Sequence, residues 1–316
     1  MAALAVVYVV WGSTYLGIAI AIETMPPLLM AGARFLLAGA VLYAVASRLP
    51  GAGTRPTRRD WAAAAASGGF LFVVGNGGVA VGEETVPSGI AALVIASIPL
   101  WIALLDRVAT GRRLSLRTVV GIAVGFAGVA LLVDPTAEGR IDPFGGTVLV
   151  VAAVGWAIGT LLSRGSSRAS SPLVVAAMQM LGGGVLLLAA GTATGELGEL
   201  DLGAVSTRSW LAVAYLVVFG SLLAFSCYVW LLRNASTSLV ATYAYANPIV
   251  AVALGWAFLD EPIGARTLVA GGIVLAAVAL IVSSRSEPAP APRGSTLPAR
   301  LRSAGRSHAA AAIRGR

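Results

Sequence analysis

Arg34 is the one charged side chain that lies well inside an apolar run of the sequence. If that run spans a membrane, a guanidinium at this depth is costly unless it is paired, and such residues usually act on a solute or a gate. We interpret Arg34 as a contact that favours an anionic or zwitterionic solute. The alternative is a structural arginine that binds backbone carbonyls or a carboxylate such as Glu23 or Glu83, or that extends to the membrane surface.

Several polar and aromatic side chains lie at similar depth in other apolar runs, and they are candidates for the lining of a solute cavity. Aromatic rings can stack on an apolar or aromatic solute, but packing between helices gives the same pattern. Serine and threonine can also bond the helix backbone or bridge helices. Helical geometry places Tyr245 about 160° from Tyr243 and Asn247. At most part of this cluster therefore lines one cavity. The candidates are Trp11, Ser13, Thr14, Arg34, Asn76, Trp156, Gln179, Tyr243 and Asn247.

Pro99 and Pro248 occupy equivalent places in two apolar runs. Each proline removes a backbone donor and frees the carbonyl four residues earlier, at Ile95 and Ala244. Kinks at symmetric positions predict hinges. Ordinary tolerance of proline in membrane helices explains them equally well.

Side chains for enzymatic chemistry are sparse. The single cysteine, Cys227, lies in an apolar run, and the single histidine, His308, lies in the polar C-terminal segment. The sequence has no lysine, which excludes a Walker-type phosphate loop and a lysine Schiff base. We expect no catalytic residue, metal site or cofactor. Glu83 and Glu84 are either a proton-coupling pair or solvated loop carboxylates, and the second interpretation is favoured.

The elements that must position these residues are membrane helices. Apolar residues make up 58% of the chain and glycine adds 38 of its 316 residues, while only 11% of residues are charged. A soluble core cannot absorb that excess. Apolar runs of about the 20 residues needed to cross a bilayer predict ten helices. They lie near 3–22, 28–47, 61–82, 86–105, 117–134, 144–163, 172–192, 209–231, 236–259 and 265–283.

Loop charge predicts the orientation, because arginine-rich loops stay on the cytoplasmic side. Alternate loops carry mostly arginine or mostly acids, so an even helix count with both termini inside satisfies them. From residue 284 the composition changes to Pro, Ala, Ser and Arg, which predicts a disordered basic cytoplasmic tail over 284–316. The tail is able to contact anionic lipid headgroups. The arginines of the predicted inner loops are Arg48, Arg55, Arg58, Arg59, Arg107, Arg112, Arg113, Arg117, Arg164, Arg168 and Arg233.

An internal repeat divides the chain into two halves. A shift of 145 residues places Trp11 on Trp156, and a shift of 149 places Pro99 on Pro248. The halves cover 1–134 and 144–283, with five helices each. Because five is odd, the second half must enter the membrane from the opposite side, which gives inverted repeats. Arg34 falls on Gln179, so its charge is not required in both halves.

The residues resemble the EamA-type ten-helix members of the drug/metabolite transporter superfamily over nearly all of 3–283. The most specific stretches are Trp11–Gly12–Ser13–Thr14–Tyr15 and Tyr243–Ala244–Tyr245–Ala246–Asn247–Pro248. The resemblance implies a multi-pass inner membrane protein that exports or exchanges metabolites or drugs by alternating access. Its partners would be a small-molecule substrate and membrane lipids, and nothing indicates nucleic acid.

Two other functions are weighed against transport of small organic solutes. A flippase for lipids or lipid precursors would use the same fold. A membrane-embedded enzyme would need convergent acid, base, nucleophile or metal ligands, which the sequence does not provide. The glycine pairs Gly78 and Gly82, Gly121 and Gly125, and Gly155 and Gly159 predict close helix packing and leave a homodimer open.

Overall fold

The computed structural model describes residues 1–111, 113–133, 141–163 and 171–284. It contains ten helices long and apolar enough to cross a membrane within these residues, as the sequence predicts. We number them in chain order as the first to the tenth span. They are Ala2–Ile22, Pro27–Ala46, Arg58–Gly82, Ser88–Thr110, Leu116–Val133, Pro143–Ser163, Pro172–Ala193, Thr207–Leu232, Leu239–Leu259 and Ala265–Ser283.

The predicted tail and several loop charges lie outside the described residues. These are residues 285–316, which include His308, and the loop residues Arg112, Asp134, Glu138, Arg140, Arg164 and Arg168.

The two halves pack together in a pattern that is unchanged when each span is exchanged for its repeat partner. The first span packs on the ninth, and the fourth packs on the sixth. The sixth packs on the third, and the first packs on the eighth. Three further contacting pairs are unchanged by this exchange. They are the second span with the seventh, the fourth with the ninth, and the fifth with the tenth. This exchange is the arrangement expected of two related five-helix units.

Glycines allow the closest of these contacts. A β-carbon added at Gly39 would lie 3.0 Å from the backbone nitrogen of Leu181, and one at Gly184 would lie 2.9 Å from that of Leu36. Gly39 and Gly184 are repeat partners on the second and seventh spans. Their missing side chains let the two backbones approach closely, as in other membrane helix pairs.

The three glycine pairs singled out in the sequence pack against other spans of the same chain. Gly78 faces Ala152 of the sixth span, and Gly159 faces Leu71 of the third. Gly121 faces Ile281 of the tenth span. Close packing at these glycines is confirmed. They contact other spans of the same chain, and a homodimer stays a prediction.

Four spans depart from a continuous regular α-helix. The third and eighth contain π-helical segments, Gly69–Gly77 and Leu216–Leu223, at nearly equivalent repeat positions. The fourth span breaks between Ser88–Ile95 and Ile98–Thr110, just before Pro99. Pro248 instead lies inside the continuous helix Tyr243–Leu259, which follows the short helix Thr237–Ala241. The two prolines therefore have different local surroundings, and their role as hinges stays a prediction.

Candidate functional site

A cavity of about 350 Å³ lies between the two halves and is the candidate solute site. Eight spans contribute its described lining, and the fifth and tenth do not. A volume of this size suits a small organic molecule. Its wall is mostly apolar, with a small number of polar groups that can fix a solute's orientation.

Eight of the nine predicted lining residues and both prolines face this cavity. Helices from both halves bring them together, although they are far apart in sequence. The residues are Trp11, Thr14, Arg34, Asn76, Trp156, Gln179, Tyr243, Asn247, Pro99 and Pro248.

Ser13 lies outside the cavity. Its hydroxyl donates to the carbonyl of Val10 at 2.9 Å and lies 2.5 Å from the Tyr215 hydroxyl of the eighth span. Two residues correspond to about 200° around a helix, so Ser13 points away from Trp11. Thr14 lies on the same side of the helix as Trp11. Ser13 therefore ties the first span to the eighth.

Arg34 is held at the cavity wall rather than in a tight ion pair. Its side chain is buried, and its Nε donates to the Ser221 hydroxyl at 3.1 Å. The guanidinium carbon lies 4.6 Å from the centre of the Phe35 ring. A β-carbon added at Gly220 would lie 3.3 Å from the Arg34 Nη2. The guanidinium is thus fixed on the π-helical segment of the eighth span, with further donors available to a solute.

Gln179 repeats this arrangement in the other half without the charge. Its amide nitrogen donates to the hydroxyls of Ser67 and Ser163, each at 2.8 Å. Ser67 belongs to the third span, which is the repeat partner of the eighth. The two related positions thus fix a cation on one side and a neutral amide on the other.

An aromatic cluster forms the part of the cavity next to Trp11. The Trp11 ring centre lies 5.0 Å from that of Tyr228 and 5.3 Å from that of Tyr243, and Phe225 is also in ring contact. The Trp11 indole N–H donates to the carbonyl of Gly220 at 3.2 Å. The rings present faces and edges that can pack on an apolar or aromatic group.

Asn247 and Asn76 both satisfy backbone carbonyls beside the cavity. With its amide oriented to satisfy both neighbours, Asn247 donates to the carbonyls of Tyr243 at 3.2 Å and Tyr8 at 3.3 Å. The carbonyl freed by Pro248 belongs to Ala244, and the Asn247 amide bonds the carbonyl one residue before it. Asn76 donates to the carbonyl of Leu71 at 3.1 Å, five residues earlier, within the π-helical segment.

The sequence analysis did not identify several of the lining residues. Tyr15, Phe72, Ser221 and Tyr228 all face the cavity. Tyr15 follows Trp11 by four residues, which puts both on one side of the helix, so its position was predictable. Ser221 and Phe72 lie in the π-helical segments, whose altered hydrogen bonding changes the direction of their side chains.

The membrane face at which the first span ends is closed by carboxylates from the second half. We call it the acidic face; its described loops are 23–26, 83–87, 194–206 and 260–264. Glu261 accepts from the backbone nitrogens of Ser88 at 2.6 Å and Gly89 at 3.0 Å, at the start of the fourth span. Glu196 accepts from those of Leu28 and Leu29 at the start of the second span. Negative charge is stabilising at a helix N-terminus.

We call the opposite face the arginine-rich face; its described loop residues are 47–57, 111, 113–115, 171 and 233–238. On the sixth span the cavity lining extends to Ser163, whose hydroxyl accepts a hydrogen bond from Gln179 inside the seventh span. At the acidic face the lining stops about one helical turn inside the span ends, at Ile18, Val79 and Ala92. The lining therefore extends from the centre towards both faces.

Replacing Glu261 with glutamine should weaken the closure of the acidic face. The variant loses the charge and one of two acceptors at the N-terminus of the fourth span, a loss of about 1 to 3 kcal/mol for charge-assisted hydrogen bonds. We expect a lower thermal unfolding temperature of the purified protein. Asp260→Asn is the matched control, because Asp260 is an exposed neighbour in the left-handed region, which asparagine tolerates. Equal unfolding temperatures for the two variants would contradict the capping role.

Glu83 departs from the favoured expectation of a solvated loop carboxylate. It directly follows the third span and is only 8% exposed, whereas Glu84 is exposed. Both Glu83 carboxylate oxygens are buried without a hydrogen-bond partner among the described residues. The groups around it come from both halves of the chain, which the position of Glu83 at a helix end does not reveal.

The described residues contain no group of three or more His, Cys, Asp or Glu side chains that could hold a metal ion. Cys227 is a free thiol in the eighth span.

Comparisons with known proteins agree with the fold. The model of the EamA-like transporter family matches residues 1–134 and 143–283. The uncharacterized inner membrane transporter YedA of Escherichia coli (strain K12) is 39% identical over 285 residues, which cover 88% of this chain and 89% of that protein. A protein of the same organism named "Probable amino-acid metabolite efflux pump" is 25% identical, covering 81% of this chain and 85% of its own.

A solved crystal structure matches with a TM-score of 0.62 at 21% identity, covering 91% of this chain and 99% of the other. This likeness concerns the fold alone. The ten spans, together with the similarity to an inner membrane transporter, confirm the predicted inner membrane localisation. The chain belongs to the EamA-like transporter family, as its sequence resemblance indicates.

Proposed function

We propose that this chain is a secondary active transporter that exports or exchanges small organic solutes with an anionic or zwitterionic group and an apolar part. The observation that carries the proposal is the cavity between the two halves, in which Arg34 is the only cationic side chain of the described lining. The aromatic cluster around Trp11 supplies an apolar surface in the same cavity. Together they suit a carboxylate at one end of the solute and an apolar group at the other.

Alternating access is the mechanism that this architecture supports. Inverted halves can exchange conformations about a central site and expose it to one face and then to the other. The structure has carboxylate caps at the acidic face and a central cavity lined by both halves. Breaking the caps at Glu196 and Glu261 would be part of opening the acidic face.

The direction of transport is part of the proposal. Arginine-rich loops stay in the cytoplasm, so the arginine-rich face would be cytoplasmic and the acidic face external. Both termini would then be inside. The relative named as a metabolite efflux pump supports export, and its name concerns an amino-acid metabolite, which is a zwitterionic class of solute.

A ligand screen followed by flux measurement tests the proposal. Purified protein is scanned by thermal shift against amino acids, nucleosides, sugars and cationic drugs, and each ligand is then tested by counterflow of labelled solute in proteoliposomes. We expect stabilisation and saturable exchange for amino acids or other carboxylate-bearing solutes. Exchange confined to cationic drugs would contradict the solute class. Absence of exchange together with lipid scrambling would replace the proposal with a lipid flippase.

A further inference from the structure

We propose that Glu83 is a proton-binding site whose protonation favours closure of the acidic face. The inference rests on the alternating access of the proposed function, and it adds the proton as a ligand and gives it a residue. It depends on three features of the structure, which are the burial of Glu83, the charged groups around it and its position beside a carboxylate cap.

The first feature is a buried carboxylate that lacks partners. Glu83 is 92% buried, and neither of its oxygens receives a hydrogen bond from the described residues. Arg34 is the nearby cation, but it is bound to Ser221 and packed on Phe35. An ionised carboxylate is costly in such surroundings, and a bound proton removes that cost.

The second feature is the balance of charge around the site. The groups that act on Glu83 are Tyr15 on the first span, Arg34 on the second and Glu261 on the loop after the ninth. Burial raises the pKa of Glu83 well above its ordinary value, the negative charge of Glu261 raises it further, and Arg34 opposes both. The carboxyl therefore holds its proton at a pH where a solvated glutamate does not.

The third feature is the position of Glu83 at the closure. Ser88 follows it by five positions, and the backbone nitrogen of Ser88 donates to Glu261. Opening the acidic face would break that cap and admit water to the segment 83–88, which returns Glu83 to the ordinary behaviour of a solvated carboxyl. The closed form thus binds one more proton than the open form.

The sign of the pH dependence follows from that difference. Because the pKa of Glu83 is higher in the closed form, closure is fully favoured below the pKa of the open form. The preference is lost as the pH rises towards the pKa of the closed form. Between the two values, one linked proton changes the closed-to-open ratio by up to about tenfold per pH unit. Acid at the external face would then drive the transporter towards its inward-facing form.

Infrared difference spectroscopy of the purified wild-type chain tests the proton site without any solute. We expect the C=O stretch of a protonated carboxyl at neutral pH, lost in Glu83→Gln and retained in Glu84→Gln. The control is stringent, because burial together with Glu196 and Glu199 also raises the pKa of Glu84. A band that persists in Glu83→Gln would overturn the proposal. If this variant does not fold, Glu83→Asp should shift the band in frequency, and an unshifted band would likewise overturn it.

A labelling experiment tests the link to closure. A single cysteine at Thr14, in a Cys227→Ser background, reports access to the cavity from the acidic face through an impermeant thiol reagent. We expect the labelling rate from the acidic face, divided by the rate from the arginine-rich face at the same pH so that thiolate formation cancels, to rise with pH by up to about tenfold per unit in the chain that retains Glu83. The dependence should vanish in Glu83→Gln and persist in Glu84→Gln. An unchanged pH dependence in Glu83→Gln would overturn the coupling, whereas failure of solute exchange with the infrared result intact would overturn only the transport function.

Discussion

Replacing Arg34 with glutamine is expected to weaken binding and exchange of carboxylate-bearing solutes by roughly 10- to 150-fold, the range for losing one charge-assisted hydrogen bond of about 1.5 to 3 kcal/mol. Arg34 is the only cation in the described lining, so no neighbour can replace it. The fold should tolerate the change, because the equivalent position in the second half is Gln179, which is also buried. The measurement is counterflow of labelled solute at several concentrations, which separates affinity from maximal rate.

Arg208→Gln provides the matched control for the charge. Arg208 lies 3.3 Å from Glu23 in an ion pair on the acidic face, and both side chains are largely exposed. Exposed pairs contribute little to stability. We expect nearly unchanged exchange in this variant. Exchange of a carboxylate-bearing solute that is equally fast in Arg34→Gln and the wild type would show that the cavity cation does not bind the solute.

A methyl group at Gly12 is expected to cause a large loss of stability from a minimal change. Its β-carbon would lie 2.6 Å from the Val250 Cβ and 2.9 Å from the carbonyl oxygen of Asn247. The ninth span must therefore move away from the first, and overpacking of this kind costs about 1 to 3 kcal/mol. We expect Gly12→Ala to lower the unfolding temperature by several degrees and to slow solute exchange, because Asn247 lines the cavity.

Gly272→Ala separates this effect from helix propensity. Gly272 lies in the tenth span, and no atom lies within 4 Å of its added β-carbon. Alanine favours a helix over glycine, so this variant should be as stable as the wild type or slightly more stable. If Gly12→Ala unfolds at the same temperature as Gly272→Ala, the close approach of the first and ninth spans does not contribute to stability.

The ten spans were predictable because their signal is local. A run such as 144–163 is apolar for as long as a bilayer requires, and its ends carry charge or proline, so no tertiary information is needed to recognise it. The two-part architecture was also predictable, since Trp11 and Trp156 or Pro99 and Pro248 recur at fixed spacing.

The side-chain directions were less predictable because they depend on local geometry and on the other half. Ser13 was grouped with Trp11 by depth alone, although the helical period turns it to the opposite side. The π-helical segments around Phe72 and Ser221 lie in apolar runs of uniform composition, and nothing in such a run predicts a π-helix. Their shifted hydrogen bonds depend on how the third and eighth spans pack.

Glu83 illustrates the limit of reading charge from sequence. Its position at the end of an apolar run, next to Glu84, is typical of a solvated loop. In the fold it is buried, and it experiences the charge of Glu261, which is distant in the chain and caps the start of the fourth span. The sequence therefore identifies the charge, while the fold decides whether water reaches it.

Alternating access is the central claim, and the most direct test is thiol labelling of Thr14→Cys in the Cys227→Ser background from each face separately. Thr14 lines the cavity on the first span, so its accessibility reports which face is open. We predict rapid labelling from the arginine-rich face, slower labelling from the acidic face, and opposite changes in the two rates when Glu261→Gln weakens the cap. Labelling from one face only, under all conditions and in the variant, would contradict alternating access.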